Sequence, residues 1–154
     1  MRILNTIRRT IKRLFGVNIR HSGKSPHQRR DVHVNSINRL MLGMVNNERR
    51  KRHLPPVVFD QVLYQHSVRW SKIMAGAGTI YHSNTILENC CMVPSNGSPT
   101  TITRRMFYTW KKSRPHWAWM MDPSVNKAAF AYTSRGKYSY GAYSFKQRYI
   151  KQEW

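Results

Sequence analysis

The chain has 154 residues, 40% of them hydrophobic and 12% aromatic, which is enough to bury one real core and excludes a wholly disordered basic protein. Lys and Arg number 27 against 6 Asp and Glu, for a formal net charge of +21, so the expected partner is acidic: nucleic acid, an anionic membrane surface or an acidic protein. No apolar run approaches the ~20 residues that span a bilayer.

Residues 1–15 read as a helix. Ile3, Leu4, Ile7, Ile11, Leu14 and Phe15 recur at three- and four-residue steps and make one stripe, with Arg8, Arg9, Lys12 and Arg13 largely elsewhere on it. Such a basic amphipathic helix suits an anionic membrane surface or a nucleic acid. Its stripe would equally suit packing on the domain or self-association with another protomer. The same basic residues interrupt what would be the apolar core of a secretion signal. Residues 17–33, polar and rich in breakers, read as a tether that carries Arg29 and Arg30. Residues 1–33 are therefore expected to form a basic extension, 34–148 the compact domain and 149–154 a tail.

Within the domain, Val34 to about Arg52 is expected to be a helix with Ile37, Leu40, Met41, Met44 and Val45 buried. It ends in Glu48 and the basic run Arg49, Arg50, Lys51 and Arg52, a candidate polyanion-binding cluster. Leu54-Pro55-Pro56 breaks it. Asp60 is a candidate N-cap for a second helix running to about Ala75, with Val62, Leu63, Val68, Trp70 and Ile73 available to the core and Gly76-Ala77-Gly78 as its stop. Glu88 to Val93 reads as a strand and residues 94–99 as a loop. Thr100 to Lys112 reads as a helix with Ile102, Met106, Phe107 and Trp110 inward. The His116 segment and a turn at Asp122-Pro123-Ser124 follow. Two strands, Lys127–Thr133 and Tyr138–Phe145, are expected to meet in a hairpin. Cys90 and Cys91 are the two cysteines; being adjacent, they do not readily bridge each other, they point to opposite faces of a strand, and they form no Cys-x-x-Cys pattern. The expected class is α+β, with helices on both faces of a small, largely antiparallel sheet.

The stretch from Tyr81 to Met121 carries the candidate chemistry. His82, Glu88 and His116 sit among turn-forming residues, and with 6 acidic residues in the whole chain a carboxylate here is conspicuous. Two imidazoles and a carboxylate can hold a divalent metal with positions left open, or act as a general acid/base set. They can also serve as ordinary hydrogen-bonded groups that stabilise a scaffold.

The ordered set Asn47-Glu48-Arg49-Arg50, Leu54-Pro55-Pro56-Val57-Val58-Phe59-Asp60, Arg69-Trp70-Ser71, His82-Ser83, Glu88-Asn89 and Trp110-x-x-Ser113-x-x-His116, closed by an aromatic strand, resembles the CAP superfamily: cysteine-rich secretory proteins, antigen 5 and pathogenesis-related 1 proteins, or SCP domains. The likeness runs from about residue 37 to 146 and is nearest to short prokaryotic members. It implies an α-β-α sandwich whose central cavity holds two His and two acidic residues, the His pair binding a divalent cation in several members. Carried over, this gives His82, His116 and Glu88 as metal residues, with zinc as the candidate ion, and Ser113 and Asn89 as cavity-lining residues. Two departures matter. Ser113 stands where eukaryotic members have the second acid, which weakens a proteolytic role. Trp119 stands where prokaryotic members commonly have Asn, and its bulk narrows the cleft.

Three functions follow. The first is a CAP binding protein with a metal-capable cavity and a basic surface that engages an anionic lipid or another polyanion. The second is a nucleic-acid-associated protein, with clusters at 8–13, 29–30, 49–52, 104–105 and 111–114 on phosphates and Trp110, Trp117, Trp119 and the 138–143 tyrosines available to stack. The third is a metal-assisted hydrolase, for which no Gly-x-Ser-x-Gly, His-Glu-x-x-His or phosphate loop speaks. The resemblance implies secretion, whereas the missing ordinary signal peptide points to an intracellular, virion-associated or assembly-associated setting.

Overall fold

The computed structural model describes residues 26–148, with side chains from Ser36 onward. The helix expected over 1–15, with Arg8, Arg9, Lys12 and Arg13, the side chains of Arg29 and Arg30, and the tail 149–154 lie outside the described residues. The chain divides after Arg30, and the sheet and its core belong to the part from Asp31 onward. In chain order the elements are α1 (Pro26–Arg50), β1 (Val58–Phe59), α2 (Gln61–Ala77), β2 (Leu87–Pro94), α3 (Pro99–Lys112), α4 (Arg114–Met120), β3 (Val125–Arg135) and β4 (Tyr138–Gln147). The strands lie in the order β1-β3-β4-β2; β1 runs parallel to β3, and the other pairs are antiparallel. Among the described residues no helix is long and apolar enough to cross a membrane.

Strand alternation assigns the layers. Cys91, Val93, Ala128, Phe130, Tyr143 and Phe145 point to one face of the sheet, where they meet Ile37, Met41 and Val45 of α1, Ile102, Met106, Phe107 and Trp110 of α3, and Met120 of α4. Cys90, Tyr140 and Ala142 point to the other face, against Met74 and Ala75 of α2, with Trp70 beside them. Helices thus cover both faces, and the two adjacent cysteines, both free and buried, serve opposite layers.

α1 begins at Pro26 and not at Val34, taking in part of the segment read as a tether. Proline is tolerated in a first helical turn, and no further Pro or Gly intervenes before Gly43. Asn38 is buried on this helix and clamps β3, accepting from Phe130 N–H at 2.8 Å and donating to Phe130 O at 2.9 Å.

α2 starts at Asp60, whose carboxylate accepts from Leu63 N–H at 3.0 Å, and stops at Gly78 in the left-handed region (φ 70°). Its buried face differs from the one expected. Leu63, Ser67, Ser71, Met74 and Ala75 face the sheet, while Val62 is 69% exposed and Ile73 is also exposed. The reason is steric and polar. Ser67 Oγ donates to Ala129 O at 3.1 Å and meets Ser144 Oγ at 2.7 Å, and Ser71 Oγ meets Thr133 Oγ1 at 2.8 Å. Small hydroxylated residues let the helix lie close to the strands with these groups satisfied.

From the sequence no element is expected at β1, between the break at residues 54–56 and the Asp60 cap, or at α4, which carries His116. β1 is two residues long and is defined by its pairing with Lys127 and Ala128.

Candidate functional site

Glu88 enters from β2, paired with Ser144 of β4, so its side chain faces α2. That side chain has no exposed surface, and an ionised carboxylate so placed requires partners. Oε2 lies 2.7 Å from His66 Nε2 on α2, and Oε1 accepts the Ser83 N–H. His82 Nδ1 is 3.8 Å from Oε1, and the His82 side chain is 57% exposed. The loop turns at Asn84, in the left-handed region (φ 60°) that Asn tolerates. Two residues along β2, on the same face as Glu88, lies Cys90. Its thiol is pushed up to about 12, first by burial and then by the charge of Glu88, with a hydrogen bond from Trp70 acting against both. Ligand atoms of His82, Glu88 and Cys90 all lie within 4.8 Å of one another.

A cleft of roughly 420 Å³ opens beside His82 and Glu88, lined by His82, residues 84–88 and Trp119, with Cys90 behind its wall. Trp119 on α4 therefore forms one wall, as its bulk suggested. His116, also on α4, neither lines the cleft nor belongs to the donor cluster. Its Nδ1 is 2.7 Å from Ser113 Oγ, its carbonyl accepts from Asn89 Nδ2 at 3.0 Å, and burial followed by the nearby His82 lowers its pKa. Asn89 and Ser113, expected to line the cavity, are not among the residues that line this cleft. Asn89 is fully buried on the sheet face opposite Glu88, where it holds the His116 backbone, and Ser113 caps the α3–α4 junction and positions the His116 ring.

Sequence reasoning missed His66 and Cys90. Cys90 carried a usable signal, since strand period two places it beside Glu88. His66 lies four residues before Trp70 on a capped helix, and the two rings stack with centroids 6.4 Å apart. Nothing local to α2 points to the carboxylate of Glu88.

The basic run at the end of α1 also needs correction. Arg49 is fully buried and cannot contact a polyanion. Its Nε donates to Pro55 O at 2.7 Å, its Nη1 to Met120 O and Asp122 O, each at 2.9 Å, and its Nη2 to Val125 O at 3.0 Å. Lys51, Arg52 and Lys111 converge on Glu48 at 3.1, 2.9 and 3.0 Å. Hydrogen bonding by Lys111, more than by Arg52 and Lys51, holds Glu48 down to about 2 against the opposing effect of burial. Arg50 remains exposed. Trp110, Tyr140 and Tyr143 are core residues and cannot stack on bases. A second groove, about 540 Å³ and lined by residues that include Arg104, Arg105, Tyr108 and Lys112, runs along the outer side of α3.

An α-β-α sandwich with this polar cleft defines the class, and the sequence agrees: the profile of the cysteine-rich secretory protein family, CAP, matches residues 42–149. The chain belongs to the CAP family. Its fold is similar to that of an extracellular SCP-domain protein from Bacillus anthracis (TM-score 0.54, 14% identity), covering 81% of this chain and 45% of that one. It is similar also to an outer surface protein from Borrelia burgdorferi (TM-score 0.53, 12% identity, 83% and 98% covered). The Ancylostoma-secreted protein gives a like result (TM-score 0.54, 10% identity, 78% and 72% covered). This chain thus spans less than half of the Bacillus protein. No curated protein sequence matches it.

Proposed function

We propose that this CAP domain is a binding protein whose His82–Glu88 cleft takes up a divalent cation, with zinc as the candidate, and whose basic surface docks on a phosphate-bearing polyanion. The observation that carries the first half is Glu88: a carboxylate with no exposed side-chain surface, in the wall of a cleft, beside the imidazole of His82. The donor chemistry fits a borderline cation, since imidazole and carboxylate are both ordinary zinc ligands. His82 and Glu88 would hold the ion. His116, whose Nδ1 is engaged by Ser113, stands outside the donor cluster, and its Nε2 would join the ion only if the ion draws it in. With Ser113 as the acceptor, that tautomer leaves the Nε2 lone pair free, though a hydroxyl adds none of the charge a carboxylate would. Bound there, the ion would supply a Lewis acid. His66 holds Glu88 in orientation, and because both Glu88 oxygens already have partners, the arrangement favours binding over proton transfer. Calorimetric titration with zinc is expected to give about one equivalent in the native chain and none in the folded His82→Ala/His116→Ala double variant; no binding to the native chain overturns the reading.

The second half rests on the α3 groove, where Arg104 and Lys112 are exposed beside Tyr108, itself 49% exposed. Arg105 is committed to Pro94 O and to Asn96, so it shapes the groove. Binding to a single-stranded oligonucleotide and to anionic vesicles, measured across a salt series, separates the two polyanions. Whichever binds is expected to fall steeply with salt and to weaken in Arg104→Glu/Lys112→Glu. Salt-independent binding counts against the reading.

A further inference from the structure

We infer that Cys90 is a metal ligand, so that His82, Glu88 and Cys90 form a nitrogen, oxygen and sulfur donor set behind the wall of the cleft, suited to zinc and poorly suited to magnesium or calcium. The inference rests on the reading of the cleft as a metal site and says which of this chain's atoms hold the ion.

β2 presents Glu88 and Cys90 on one face, and the 82–85 turn brings His82 over them from the solvent side. Their ligand atoms lie within 4.8 Å of one another. Tetrahedral zinc sets such atoms about 3.3–3.8 Å apart; His82 Nδ1 and Glu88 Oε1, at 3.8 Å, are already near that range, and no pair needs to draw in by more than about 1 Å. His82 is the exposed member and the one free to close. Glu88 is already oriented: His66 occupies Oε2, and Oε1, which accepts one bond from Ser83 N–H, keeps a second lone pair available to an ion. His116 stands outside this set, its ring held by Ser113 at the α3–α4 junction. The chain that has Ser113 in place of an acid thus has a thiol within reach of the same carboxylate.

Coordination exchanges the sulfur–hydrogen bond of Cys90 for a metal–sulfur bond, with the proton released to solvent. In the free protein burial holds the thiol protonated. A thiolate selects soft and borderline cations, whereas magnesium and calcium take oxygen ligands. The competing account makes Cys90 an ordinary core residue packed on Met74, Ala75, Tyr140 and Ala142. Cys91, buried in the opposite layer, is the internal control.

The test is a cobalt(II) titration of the full chain, followed by near-ultraviolet absorption, with zinc calorimetry alongside. A thiolate-to-cobalt charge-transfer band is expected in the native chain and in Cys91→Ser, and is expected to vanish in Cys90→Ser and Cys90→Ala, with zinc affinity at least tenfold weaker in both. Two substitutions guard against one failing to fold, and the native spectrum needs neither. Metal binding without the band, or a band that survives loss of Cys90, overturns the inference and leaves the cleft a metal site. No binding of zinc or cobalt by the native chain overturns both.

Discussion

His66 Nε2 lies 2.7 Å from Glu88 Oε2, and this bond ties the middle of α2 to the start of β2 beneath the cleft. The Glu88 side chain is fully buried while that of His66 is 12% exposed, so Glu88 finds no substitute partner in water. His66→Ala is expected to cost about 2–3 kcal/mol by leaving a buried carboxylate short of a donor. Zinc affinity is expected to fall roughly 10–100-fold because the ligand loses its orienting group. His66→Gln, which keeps a donor, recovers part of both. Urea unfolding and calorimetry check the pair; a loss of stability with unchanged zinc affinity confines His66 to the scaffold.

Arg49 joins α1 to three segments through four carbonyl oxygens, those of Pro55, Met120, Asp122 and Val125. Arg49→Met is expected to cost about 3 kcal/mol or more, because four carbonyls lose the guanidinium as a donor and two of those bonds, to Met120 O and Val125 O, are buried. Arg50→Met, one residue on and exposed, is expected to stay within about 0.5 kcal/mol of the native chain. Denaturant midpoints of the two variants, read side by side, decide whether the basic run is one surface or two kinds of residue.

Glu48 gathers Lys111, Arg52 and Lys51 and ionises at about 2 instead of its ordinary 4.5. A depressed folded value stabilises above the unfolded value, so the contribution is complete above pH 4.5 and is lost as pH falls towards 2. The stability gap between the native chain and Glu48→Gln is therefore expected to be widest at neutral pH and to shrink through that window. Unfolding curves at neutral and acid pH test this, and an unchanged gap removes the role assigned to Glu48.

Gly141 on β4 faces Met106 of α3 so closely that an added Cβ would overlap Met106 Sδ. Met106 is fully buried and has little room to retreat. Gly141→Ala is expected to cost about 1–3 kcal/mol by overpacking, and Met106→Val in the same chain to recover part of it. Thermal melts of the single and double variants measure that coupling.

Much of this protein is determined locally. The apolar steps of α1 and α3, the β2 strand, the β3–β4 hairpin, the Asp60 cap and the Gly78 stop follow from periodicity and turn chemistry, which need only neighbouring residues. The ordered motifs likewise carry the family and, with it, His82 and Glu88 as cleft residues. What periodicity cannot give is the surface a face will meet. α2 turns Ser67 and Ser71 inward and leaves Val62 and Ile73 out, because close contact with Ala129, Thr133 and Ser144 outweighs side-chain hydrophobicity there. β1 exists only through its pairing with β3. Arg49 looks like its neighbours in the sequence and becomes internal only because three distant carbonyls, with that of nearby Pro55, converge on it. The site divides the same way: the motif supplied His82 and Glu88, and strand period two sets Cys90 beside Glu88 on β2, while His66, from α2, joined them only when helix and strand packed face to face. Long-range burial made that decision, because a buried carboxylate requires partners and the fold alone determines which groups stand within reach.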